Sequence, residues 1–164
     1  MKLKHLFLIL LALCLIGFLT GCDSGGGSSS SGGGGGGGDD SGTVIYKVTD
    51  LVDHTGVSNF NSNNGTISYT YGGYDNTATV TLTVNHDNKT YSLHEVETST
   101  DPGVPDVGCT FSGTWEVSGN NINIHNTLTT YDNGDPDDTG TWDDTFTITG
   151  ETTIQVWAWV MTRQ

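Results

Sequence analysis

Positive charge is scarce in this 164-residue chain: five Lys and Arg stand against 19 Asp and Glu. Two of the five, Lys2 and Lys4, fall among the first four residues. From Asp23 onward only Lys47, Lys89 and Arg163 oppose all 19 acids, a formal charge of −16. A surface so acidic repels phosphate backbones, which excludes a nucleic-acid binder. Strong helix formers are also few. The 122 residues from Thr43 hold two alanines and four leucines, with no 3.6-period stretch of useful length, so a helical bundle is excluded. Cysteine is nearly absent from that part as well, Cys109 being alone there, so no internal disulfide can staple it. Between Asp23 and Gly42 there is no apolar residue, and nothing in that stretch can pack. What remains from Thr43 is rich in threonine, 25 residues of it, and long enough to bury one core.

The front of the chain has a different composition. Met1-Lys2-Leu3-Lys4-His5 is a short positive start, and Leu6 to Leu19 is apolar apart from Gly17. That order describes a secretory signal peptide, and the apolar stretch is shorter than the roughly 20 residues a membrane-spanning helix requires. Its ending, Leu19-Thr20-Gly21-Cys22, resembles the lipobox of bacterial lipoproteins. The resemblance implies cleavage after Gly21, a diacylglycerol thioether on the Cys22 sulfur, and Cys22 as the mature N-terminus. Residues 1–21 are then the signal, and 22–42 a lipidated cysteine followed by a Gly/Ser-rich tether. Two or more acyl chains make such anchoring durable. The implied location is a membrane of the bacterial cell envelope, inner or outer. A flexible tether of this length has a typical end-to-end distance of about 25 Å. Its glycines do not form a phosphate cradle, because no strand precedes them and no Lys-Ser/Thr follows.

Residues 43–164 alternate with period two. Ala78, Val80, Leu82 and Val84 interleave with Thr77, Thr79, Thr81 and Thr83, the signature of a strand with one buried face. The same pattern recurs at Phe111 to Val117, at Ile122, Ile124 and Leu128, and at Phe146 and Ile148. Turn signals separate these runs, and strands are expected near 43–50, 66–72, 76–84, 89–97, 108–118, 121–131, 142–149 and 153–162. Residues 51–64 read as irregular. The expected fold is all-β, an antiparallel up-and-down meander of about eight strands, closed as a barrel or folded as a sandwich.

The run from Phe111-Ser112-Gly113-Thr114-Trp115 through Gly119-Asn120-Asn121-Ile122-Asn123-Ile124, with a closing strand from Trp157 to Arg163, resembles the short lipocalin-like domains found behind bacterial lipoprotein signals. The resemblance implies a small β-barrel. Lipocalins proper carry Gly-x-Trp on the first strand, whereas Gly113-Thr114-Trp115 and Gly140-Thr141-Trp142 lie in the second half here. It therefore speaks for architecture and leaves the ligand open. Trp115 is either a barrel plug or a ligand contact.

Several groups are candidates for chemistry. Cys109 reads as a small buried hydrophobe, with no local histidine signature to activate it. Asp132, Asp135, Asp137 and Asp138 crowd one turn-rich loop; they form either a solvated, self-repelling hairpin tip or an oxygen-only calcium site, although no glutamate stands at the position an EF-hand demands. The histidines are scattered, and no nucleophile elbow, zinc motif or acid pair is visible. No cofactor and no catalysis are expected. Over Ile154 to Met161, read as one strand, Trp157, Trp159 and Met161 form a second apolar face. That face is either covered by residues 51–60 or exposed as a platform for sugars or proteins. The chain is expected to be a lipid-anchored envelope protein, non-enzymatic, binding a small apolar ligand or a partner. The alternatives are a glycan- or protein-binding module using its aromatic face, and an acidic inhibitor of a basic envelope hydrolase.

Overall fold

A computed structural model describes residues 41–164; the expected signal, Cys22 and all but the last two residues of the expected tether lie outside the described residues. Ten strands follow one another in sequence: β1 (Thr43–Leu51), β2 (Val57–Asn63), β3 (Thr66–Tyr71), β4 (Tyr74–Asn85), β5 (Thr90–Ser99), β6 (Val107–Ser118), β7 (Asn121–Tyr131), β8 (Trp142–Ile148), β9 (Thr153–Val156) and β10 (Trp159–Arg163). There is no helix among the described residues. Every pairing is antiparallel, and β1 bonds both to β10 and to the last residues of β4. Eight strands, β1 and β4 through β10, thereby close into an up-and-down barrel of the lipocalin-like kind. The β2–β3 hairpin continues from the first half of β4.

The threonine-rich alternation produces this barrel directly. Ala78, Val80, Leu82 and Val84 are buried on β4 while the threonines between them face outward. Sharing the interior with them are Leu93, Cys109, Phe146, Ile154, Val156 and Met161, each nearly or fully buried. Eight strands make an interior just wide enough for such side chains to fill. The alternative of a sandwich is set aside by the β1–β4 pairing, which leaves no second sheet.

Three expectations are corrected by the strand pairings. Residues 57–63, read as irregular, form β2. Its side chains are mostly exposed, so it shows no apolar alternation, and the local signal is the Asn64-Gly65 turn with φ of 46° and 90°. The expected single strand over 153–162 is a hairpin, because Trp157 (φ 50°) and Ala158 form a two-residue turn that pairs Val156 with Trp159. That turn inverts the parity. Ile154, Val156, Trp159 and Met161 all point inward, so Trp157 and Trp159 do not share a face. On β7 the expected inward Leu128 is replaced by Asn126 and Thr129. A bulge opposite Ser112 and Gly113 inserts one residue and shifts the alternation. Gly113 makes the bulge feasible, since a Cβ there would overlap the His125 carbonyl.

Up-and-down topology sorts the turns onto two ends. At one end, where the described chain enters at Ser41, lie turns 86–89, 119–120 and 149–152 and the C-terminal Gln164. At the other lie turns 52–56, 72–73 and 157–158 and the two longer loops, 100–106 and 132–141.

Candidate functional site

The entry end is sealed. Trp115 is buried at 6% exposure, its Nε1 donates to the carbonyls of Asn85 (3.2 Å) and Thr90 (3.1 Å), and Lys89 Nζ lies 4.6 Å from its ring centre. His86 packs edge-on against the same ring. Trp115 is thus placed as a plug.

The opposite end differs in charge. Asp50, Asp53, Asp75, Asp101, Asp106, Asp132, Asp135, Asp137 and Asp138 all lie on its turns or strand ends, with no Lys or Arg among the described residues there. Lys89 and Arg163 lie toward the entry end, and Lys47 is mid-strand on β1. Two histidines bond to aspartates of this end: His54 Nε2 meets Asp50 Oδ1 at 2.7 Å, and His94 Nε2 meets Asp132 Oδ2 at 3.1 Å. Thr55 donates to the Asp53 carboxylate and holds its pKa below the ordinary value.

The four aspartates considered for calcium are not gathered around a common point. Asp132 turns toward His94, Asp135 bonds with Asn133, and Asp138 caps the Gly140 N–H at 2.7 Å while its backbone bridges Thr129. Asp137 is exposed. Among the described residues no three His, Cys, Asp or Glu side chains are grouped so as to hold a metal. Of the four carboxylates, that of Asp138 accepts a backbone N–H, while those of Asp132 and Asp135 meet the side chains of His94 and Asn133.

The barrel wall has a seam at this end. β8 is short, and it pairs with β9 only through Thr147–Gln155 and Ile148–Ile154. Beyond that point the strands diverge, and aromatic rings fill the wedge. Trp157 packs edge-on against Phe111 (5.5 Å between ring centres) and Phe146 (6.0 Å), with Trp142 at 6.3 Å. Its Nε1 donates to Asp144 Oδ2 at 2.7 Å, joining the two sides of the gap. A bulky residue at positive φ is uncommon, and this bond with the surrounding rings holds Trp157 there. Phe111 and Phe146 are buried, while Trp142 and Trp157 remain half-buried. Across the outer wall nearby, Thr114, His125 and Asp143 form one cross-strand row and Glu116, Asn123 and Thr145 the next, lining a shallow open groove. The His125 Nδ1–Asp143 Oδ1 pair sits in it.

Inside the barrel, Trp159 occupies a position the sequence did not suggest. It is buried, and its Nε1 donates to Glu95 Oε1 at 2.8 Å. Glu95 and Glu97 lie two residues apart on β5, so both face inward, and their carboxyls are hydrogen-bonded to each other. Burial, and then the neighbouring carboxylate, push Glu95 up to about 8; burial likewise raises Glu97. The same burial, with both glutamates nearby, raises Tyr69 and Cys109 to about 12. Cys109 is therefore a buried, protonated thiol. A sequence signal for the pair existed: Tyr91, Leu93, Glu95 and Glu97 share one parity on a strand whose inward face is fixed by Tyr91 and Leu93.

Compared with models of known protein families, with curated proteins and with solved structures, the chain matches none of them.

Proposed function

We propose that the chain is a lipid-anchored protein of the bacterial cell envelope, non-enzymatic, whose barrel binds a basic protein partner through its acidic end. The lipobox resemblance at Leu19 to Cys22 supports the anchor. The observation that carries the binding reading is the segregation of charge: nine aspartates and no Lys or Arg at the end opposite the one where the chain enters. Such a field accelerates encounter with a basic partner and rejects acidic ones. The half-buried Trp142 and Trp157, beside Asp144, offer the aromatic area that interface hot spots use. An acidic domain meeting a basic envelope hydrolase fits this surface. A buried, protonated Cys109 accords with a binding role rather than a nucleophilic one.

Titration of the full chain with a lysozyme, as a basic probe, tests this reading. Binding should be measurable at low salt, fall steeply as salt rises, and weaken in Asp135→Lys/Asp137→Lys. Binding indifferent to salt and to those substitutions overturns it. In bacterial cells expressing the full chain, Cys22→Ser should move it out of the membrane fraction.

A second reading is favoured by the seam. A small apolar ligand could enter where β8 and β9 diverge and displace the Trp157 ring from Phe111 and Phe146. A saturable change in tryptophan fluorescence on adding a fluorescent fatty acid, abolished in Trp157→Ala, would support this second reading over the first.

A further inference from the structure

Glu95 and Glu97 sit where β5 leaves the barrel for loop 100–106. On β4 their cross-strand neighbours are Val80 and Ala78, and on β6 they are Cys109 and Val107. Trp159 from β10 donates its single N–H to Glu95. Tyr69 from β3 and Cys109 from β6 are the titratable groups facing the pair, and Asp132, after β7, adds negative charge beside Cys109. His94, immediately before Glu95 in sequence, points outward to Asp132. None of these inward-facing groups is a cation. Glu97 also borders a cavity of about 30 Å³ shared with Tyr69, Asn76, Val104 and Pro105, the last two belonging to the loop. That is room for about one water. The loop is held closed by a few bonds at its base: Thr100 N–H to the Asp75 carbonyl at 2.9 Å, Asp75 N–H to Thr100 Oγ1 at 2.9 Å, and Ser99 N–H to Asp106 Oδ1 at 3.3 Å.

With one proton between them, the two carboxyls make an O–H···O bond; with none, two anions face each other with one N–H to offset them. We infer that the Glu95–Glu97 pair is a proton-operated latch on the acidic end of the barrel: the shared proton keeps loop 100–106 closed over Glu97, and its loss releases the loop so that water reaches the carboxylates. The direction follows from linkage. Burial raises Glu95 in the folded chain, so the folded state keeps a proton that the unfolded chain gives up. Stability is therefore fullest below the ordinary glutamate range and declines as pH rises towards about 8. Within that window the unfolding constant grows by up to about tenfold per pH unit, and above it the loss levels off.

Hydrogen exchange of the full chain, corrected for the intrinsic effect of pH, tests the latch. Exchange in residues 98–106 should rise by about tenfold or more between about pH 6 and about pH 9, while the turn at 119–120 stays unchanged. In Glu97→Gln, whose amide bonds to Glu95 without needing a shared proton, the rise should vanish, and Glu95→Gln should behave alike. Infrared titration of the wild type supplies an arm independent of any variant: the absorption of a protonated carboxyl should be present near neutral pH and disappear as pH approaches about 9. A loop whose exchange is the same at both pH values overturns the proposal. So does an equal rise in both glutamine variants, or a wild type with no protonated carboxyl at neutral pH.

Discussion

At the entry end of the barrel, the turns are short, and one capped tryptophan with a lysine over its ring leaves little to move. Backbone bonds tie the incoming and outgoing chain there: His86 N–H to the Gly42 carbonyl at 2.9 Å, and Gln164 N–H to the Ile45 carbonyl at 2.9 Å. The opposite end has the longer loops, the incomplete β8–β9 pairing, the half-buried tryptophans and the buried acid pair. A tryptophan serves both ends, but the partners differ. Trp115 donates to two backbone carbonyls that the fold fixes, whereas Trp157 and Trp159 donate to the side-chain carboxyls of Asp144 and Glu95, the second of which burial pushes up to about 8. Rigid closure at one end frees the other to be electrostatically demanding, a common division between scaffold and binding surface.

Mutation can break or sharpen this contrast. Trp115→Ala should have the largest effect, about 3–5 kcal/mol of stability, because a buried plug leaves a cavity the sealed end cannot collapse. Gly113→Ala should follow at roughly 1–3 kcal/mol, the new methyl having to displace the His125 backbone. Trp157→Ala should cost less, about 1–2 kcal/mol, since part of the ring is already in water; a cost equal to that of Trp115→Ala would abolish the distinction between the ends. Asp144→Asn should cost about 1 kcal/mol by weakening the bond across the seam. Urea unfolding measures all four. Asp135→Lys with Asp137→Lys should shift stability by no more than about 0.5 kcal/mol, because both side chains are exposed, while changing the salt dependence of partner binding.

Much of the wall was legible in local pattern. The threonine alternation located β4, β6 and β7 to within a residue or two of their bounds, since a half-buried strand writes its period directly into sequence. β2 was not legible, because an edge strand that buries little carries no such period. The 153–162 segment misled for a different reason. Trp157-Ala158 lacks the Gly, Asn or Pro that marks a two-residue turn, and a side-chain hydrogen bond to Asp144 takes over that role. The charge segregation was half-visible: in an up-and-down meander every second turn lies at one end, and the aspartates of 50–53, 75, 101–106 and 132–138 fall on alternate turns.

The sequence by itself determined the all-β class, the excess of acid, the lone cysteine of the folded part and the inward parity of most strands, because each is a property of composition or of neighbours along the chain. Only the tertiary structure decided that the meander closes through β1 and β4, and that Trp159 meets Glu95 across 64 positions of sequence. It likewise decided that two glutamates share the barrel interior beside Trp159, Tyr69 and Cys109. Register and long-range burial depend on which strands meet, and no local pattern records that.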